Sequence, residues 1–220
     1  MLPFTPAMIF DMDGTLIDNM PFHNQIWTSY LAELGAAMDP GSFHQLAAGK
    51  TNPEILRLYL GEDLSDADAE KYAEEKERRY RRLYAQEVRP LPGLEAFIER
   101  ARRAGIKLAL ATSAGRENID FVLSRIGLSD AFQAVVSAED VTRGKPDPQA
   151  FLLAARHLGV DPRDCLVFED APKGVEAAHR AGMRVVALLT SMSEAEARGM
   201  PGVIHAANDY TKLSLNGAAK

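Results

Sequence analysis

The run CLVFEDAPKGVEAAHRAG, residues 165–182, decides how this chain folds. It opens with continuous apolar residues, meets two acids at Glu169 and Asp170, and then shows helical periodicity up to Gly182. A strand buried on both faces reads as an unbroken apolar run, and glycine is the usual closing residue of a helix. The stretch is therefore a strand, a turn carrying two carboxylates, and a helix.

The same unit recurs. Apolar runs at 7–10, 106–112, 133–137 and 183–189 are separated by the helical patterns LEAFIERARRAG, ENIDFVLSRIGL and DPQAFLLAARHLG. In the last of these, Asp147 and Pro148 supply a cap and a first-turn proline. Strands alternating with helices predict an α/β fold, a doubly wound parallel sheet.

One interval departs from this rhythm. Residues 18–90 contain no strand pattern but four helical ones: FHNQIWTSYLAELG, GSFHQLAAG, NPEILRLYLG and the charged SDADAEKYAEEKERRYRRLYAQE. In the last, Ala69, Tyr72, Ala73, Tyr80, Leu83 and Tyr84 stand among charges, which predicts a solvated surface helix laced with i, i+4 pairs. Pro90, Pro92 and Gly93 mark the return to the α/β pattern. The expected organisation is an α/β core of residues 1–17 and 91–220, with an inserted helical cap of residues 18–90.

Composition narrows the function classes. The net charge of −6 argues against nucleic-acid binding through phosphate neutralisation. No run approaches the roughly 18 apolar residues of a membrane span. The N-terminus, MLPFTPAMIF, lacks the pattern of a signal peptide. The single cysteine, Cys165, lies in an apolar run and reads as a small buried side chain. A cytoplasmic protein without nucleic-acid or membrane partners is expected, as a monomer or weak homodimer.

Ligands of a doubly wound sheet bind beyond the carboxyl ends of its strands. At those ends the sequence places Asp11 and Asp13, Thr112 and Ser113, Lys145, and Glu169 with Asp170. Residues i and i+2 of an extended segment share a side, so Asp11 and Asp13 can serve one site. Magnesium favours oxygen donors and needs few carboxylates, so crowded acids suit it. A carboxylate can attack phosphorus, a second can move protons, and lysine and threonine can hold phosphoryl oxygens. Phosphoryl transfer with Mg²⁺ fits these residue types.

In DMDGT, LATS, GKPDP and VFEDAPKGVEAA, taken in that order, the chain resembles the haloacid dehalogenase superfamily, in its β-phosphoglucomutase-like branch with a helical cap. The resemblance covers essentially the whole chain. It implies that Asp11 is the nucleophile and Asp13 the general acid/base, and that Thr112, Ser113 and Lys145 bind the transferring phosphoryl group. It implies magnesium ligation by Asp11, Asp13 through its backbone carbonyl, and Asp170, with Glu169 in or beside that shell. Cap residues Met20, Phe22, His23, Lys50, Thr51 and Asn52 would select the substrate, and Arg116 would assist from the core side.

Within that family several activities compete. Asp13 favours phosphate chemistry over dehalogenation, which needs no acid for an alkoxide leaving group. A phosphonate hydrolase would need a Schiff-base lysine, for which only Lys50 lies near a cap loop. A mutase would place an arginine where Asn52 stands, and His23 matches a mutase histidine. A phosphoacceptor signalling switch would lack both Asp13 and the insert. The expected function is thus a Mg²⁺-dependent phosphatase of a small phosphorylated metabolite, a sugar phosphate or related monoester, acting through an aspartyl-phosphate.

Overall fold

Each apolar run becomes a strand, most of them trimmed by a residue or two at the ends. The computed structural model describes residues 1–39, 43, 46 and 50–215. The strands are β1 (Ala7–Phe10), β2 (Lys107–Ala111), β3 (Ala134–Val136), β4 (Cys165–Glu169), β5 (Arg184–Leu188) and β6 (Val203–Ala207). Among the described residues they form one sheet, in the order β3-β2-β1-β4-β5-β6, with every neighbouring pair parallel.

The continuous apolar runs are explained by burial on both sides. Ala7 and Ile9 pack into one core with Phe151, Ala154 and Val175. Their neighbours Met8 and Phe10 are equally buried on the opposite face. There Phe10 stacks on Phe168 with ring centroids 4.5 Å apart, and Phe97 meets Phe168 edge-on at 5.3 Å. Tyr210 packs against the same three rings.

Strand β6 was not anticipated from the sequence. VIHAA is only partly buried, leaves Ile204 43% exposed, and pairs with β5 across a register shift at Val185/Val186. An edge strand with one partner does not carry the continuous apolar signature of the inner strands.

The helices of this unit are α4 (Leu94–Arg103), α5 (Arg116–Arg125), α6 (Gln149–Leu158), α7 (Pro172–Arg180) and α8 (Glu194–Gly199). Asp147 accepts the Gln149 amide at 3.0 Å at the start of α6, as its sequence position suggested. Gly159, in the left-handed conformation at φ 65°, closes that helix.

The chain divides into two compact units, residues 1–18 with 88–220, and residues 19–87. The second unit holds α1 (Met20–Glu33), α2 (Asn52–Leu60) and α3 (Asp66–Tyr84). Its core gathers Trp27, Leu31, Phe43, Ile55, Leu56 and Ala73. The helical stretch expected at 41–49 lies, apart from Phe43 and Leu46, outside the described residues. Among the described residues no helix is long and apolar enough to cross a membrane.

This sheet order positions the site. From β1 the chain lays β2 and β3 to one side and β4, β5 and β6 to the other. The crevice beyond the carboxyl ends of β1 and β4 is the switch point at which such sheets bind ligands. Asp11 directly follows β1, and Glu169 ends β4.

Candidate active site

Pairing of β1 with β4 brings the acids together. The Asp11 amide continues the ladder by donating to the Phe168 carbonyl at 3.0 Å. This sets Asp11 opposite Glu169 and Asp170. All three carboxylates are buried, Glu169 to within 1% of complete. Lys145 bridges two of them, its Nζ donating to Asp11 Oδ1 and to Glu169 Oε1, both at 2.7 Å. The second Glu169 oxygen, Oε2, accepts the Ala171 amide at 2.7 Å, at the start of α7.

Two glycines are required by this crowding. Gly14 turns the chain at φ +75°, and a Cβ there would lie 2.1 Å from Asp170 Oδ2. Gly174 lies in the first turn of α7, where a Cβ would lie 1.6 Å from Glu169 Oε1. The Asp170 carboxylate thus rests on the backbone of the Asp13–Gly14 turn, and Glu169 rests on the helix.

The loop after β1 is held from three further directions. The Thr15 hydroxyl reaches Asp170 Oδ1 at 3.4 Å. Tyr210 donates its hydroxyl to the Thr15 carbonyl at 3.1 Å, and Thr190 donates to the Gly14 carbonyl at 2.5 Å. The Ser191 hydroxyl is hydrogen-bonded to Asp170. Half-buried Asp13 forms a bridge with Ile17 inside the same loop.

The electrostatics follow from burial and proximity. Burial raises the Asp11 pKa well above the ordinary carboxylate value; Lys145 opposes this, while Glu169, Asp170 and Asp13 reinforce it. Asp170 is raised to about 7 by burial and by Glu169, with Ser191 and Lys145 pulling the other way. Burial works against the Lys145 charge, but Asp11 and Glu169 overcome it and hold the ammonium above the usual lysine range. Burial also carries the Tyr210 hydroxyl well above its ordinary value.

A group with too many buried negative charges and one lysine is matched by a divalent cation. The donor set fits magnesium: two carboxylates, Asp11 and Asp170, beside a loop that can offer the Asp13 carbonyl, with water for the remainder. Among the described residues no cluster of three His, Cys, Asp or Glu side chains forms a metal cage. Glu169, expected in or beside the metal shell, has one oxygen bonded by Lys145 and the other by the Ala171 amide.

The other expected residues divide. Thr112 is buried at the end of β2, beside β1 in the sheet, and its Oγ1 accepts the Ala114 amide at 3.1 Å. Ser113 is exposed next to it. The Arg116 guanidinium makes two bonds to Asp140, at 2.8 and 2.6 Å, an ion pair that anchors α5 to the loop after β3. No spacing or motif pointed to Asp140 as its partner.

Within residues 19–87, His23 stacks on Tyr80 at 4.0 Å, and its Nδ1 lies 2.8 Å from Lys76 Nζ. Burial and the nearby Lys76 charge lower the His23 pKa to about 3, so the ring is neutral at physiological pH. Lys76 Nζ also donates to Glu77 Oε1 at 2.7 Å, and Asn52 Nδ2 donates to the same oxygen at 2.6 Å. Thr51 is the N-cap of α2 in a reciprocal box with Glu54, which is a structural task. Lys50 is exposed just before it. Met20 and Phe22 lie in the first turn of α1, and the Phe22 ring packs on Tyr84 at 4.5 Å.

Lys76 was missed in the sequence, where it reads as one charge among many. It is only 1% exposed, and its ammonium lies over the Trp27 ring at 5.1 Å. The signal was its register: Ala69, Ala73, Lys76, Tyr80 and Tyr84 are spaced as one helix face. Thr190 and Ser191 could have been found by the strand-end logic that found Thr112.

The family described as haloacid dehalogenase-like hydrolase matches residues 5–182. Fructose-1-phosphate phosphatase of Escherichia coli is 34% identical over 82% of this chain and 94% of its own. Hexitol phosphatase A of the same organism is 32% identical over 93% of each. The structure of β-phosphoglucomutase from Clostridium difficile superposes with a TM-score of 0.82 and 28% identity, covering 96% of this chain and 94% of that one.

Proposed function

Given that this chain belongs to the haloacid dehalogenase-like hydrolase family, whose relatives here include phosphatases, we propose that it is a Mg²⁺-dependent phosphatase of a small phosphorylated sugar or sugar alcohol. The observation that carries this reading is Lys145 bridging Asp11 and Glu169 at the switch point of the sheet, with Asp170 seated on Gly14. A lone cation among buried acids is poised to neutralise an incoming phosphoryl group while holding the attacking carboxylate in one rotamer.

Asp11 attacks phosphorus, so its Oδ–P bond forms as the ester P–O bond breaks. Asp13 gives its proton to the departing alkoxide. Water then attacks the acyl phosphate, the Asp11 O–P bond breaks, and Asp13 takes up the water proton. Lys145 stays charged throughout and offsets charge on the transferring oxygens. Thr112 and Ser113 supply hydroxyls from the neighbouring strand end. Magnesium, when bound by Asp11, Asp170 and the Asp13 carbonyl, supplies further charge neutralisation.

The likeness to a β-phosphoglucomutase supports a mutase as the second reading. Asn52, where a mutase arginine is expected, has its amide committed to Glu77 and cannot grip a second phosphate bidentately. A screen of phosphorylated sugars and sugar alcohols with Mg²⁺, including β-glucose 1-phosphate plus glucose 1,6-bisphosphate, separates the two. Phosphate release from sugar monoesters is expected. Glucose 6-phosphate formation with little free phosphate would overturn the phosphatase reading in favour of the mutase.

A further inference from the structure

The family match ends at residue 182, yet two hydroxyls beyond it touch the site. Both lie just past β5, the strand that pairs with β4 and therefore reaches the same sheet edge. Thr190 Oγ1 donates to the Gly14 carbonyl, and the Ser191 hydroxyl is hydrogen-bonded to Asp170. Gly14 and Asp170 are the two groups that meet with no room for a Cβ between them. The carboxylate sits against the bare backbone of the Gly14 turn, and each of the two groups has its own hydrogen bond from the segment after β5. Thr190 holds the backbone side and Ser191 holds the carboxylate side.

We propose that Thr190 and Ser191 are positioning residues for the divalent cation, keeping the Asp13–Gly14 backbone and the Asp170 carboxylate in place as one binding site. The inference rests on the magnesium reading given above. Both hydroxyls act through groups assigned above to the metal, the Asp13–Gly14 backbone and the Asp170 carboxylate. Partners of this kind, one bond away from the ligands, typically change metal affinity by about 10–100-fold when removed.

The test is calorimetric Mg²⁺ binding to the full-length, EDTA-treated protein, compared among wild type, Ser191→Ala, Thr190→Val, and the hydroxyl-retaining Ser191→Thr and Thr190→Ser. Ser191→Ala and Thr190→Val should bind Mg²⁺ about 10–100-fold more weakly. The hydroxyl-retaining variants should stay near wild type. In turnover assays the Mg²⁺ half-saturation should rise by a similar factor, and the hydroxyl-retaining variants should restore it. Affinity within about twofold of wild type in both deletion variants would overturn the proposal. So would a fall in melting temperature of the metal-free protein large enough to account for the lost binding. If wild type itself binds no Mg²⁺, the metal reading falls as well; if wild type binds and the variants match it, only this inference falls.

Discussion

Lys145 separates two buried carboxylates that would otherwise face each other, so its loss should be felt in stability as well as in turnover. Lys145→Ala leaves Asp11 and Glu169 without their shared counter-charge. A destabilisation of about 3–5 kcal/mol at neutral pH is expected from urea unfolding, since breaking a buried pair costs about that much. Asp11→Asn keeps the shape of the site and relieves the charge, so it should fold at least as well as wild type while losing turnover; an active variant would refute the nucleophile assignment. These residues were readable in the sequence because strand ends are marked by the change from apolar to polar. The Arg116–Asp140 pair was not readable for the opposite reason: folding brings Asp140 near the guanidinium and sequence spacing does not.

Among the elements, α7 and α3 each carry one residue that contradicts its local rule. Helix propensity favours alanine over glycine by about 1 kcal/mol, so Gly174→Ala should strengthen an isolated α7. In the protein it should do the reverse. The added carbon would displace Glu169, and with it one of the two anchors of Lys145. Loss of kcat together with a lower melting temperature is the expected result. In α3 the buried Lys76 is the exception. Lys76→Ala should destabilise residues 19–87 by about 2–4 kcal/mol in urea, and Lys76→Met, which keeps the volume, by clearly less. The inner strands were legible because they are buried on both faces, whereas β6 was not, because a half-exposed edge strand resembles a loop. Lys76 was hidden because a charge in an amphipathic helix is taken as solvated unless its register is checked.

Over the whole molecule the crowded acids couple stability to pH. Asp170, raised to about 7, binds its proton more tightly in the folded state than in the unfolded one. Between its unfolded value near 4 and about 7 the native state holds the extra proton, so stability falls as pH rises through that window. The metal-free protein should melt lower at pH 8 than at pH 5 on this account, by about 2–4 °C for each kcal/mol lost in a chain of this size. Added Mg²⁺ should raise the melting temperature more at pH 8 than at pH 5, and Asp170→Asn should flatten both trends. Scanning calorimetry with and without EDTA checks this. Tyr210 and Thr190 carry one more consequence. Asp11 leaves the ribosome long before Thr190, which secures the nearby Gly14 and follows 176 residues after that glycine. Contacts so distant along the chain close late. A nascent polypeptide therefore carries Asp11 through the synthesis of 176 further residues after Gly14 before the loop beside it is fastened, so the order of this site is set only once β5 has been made.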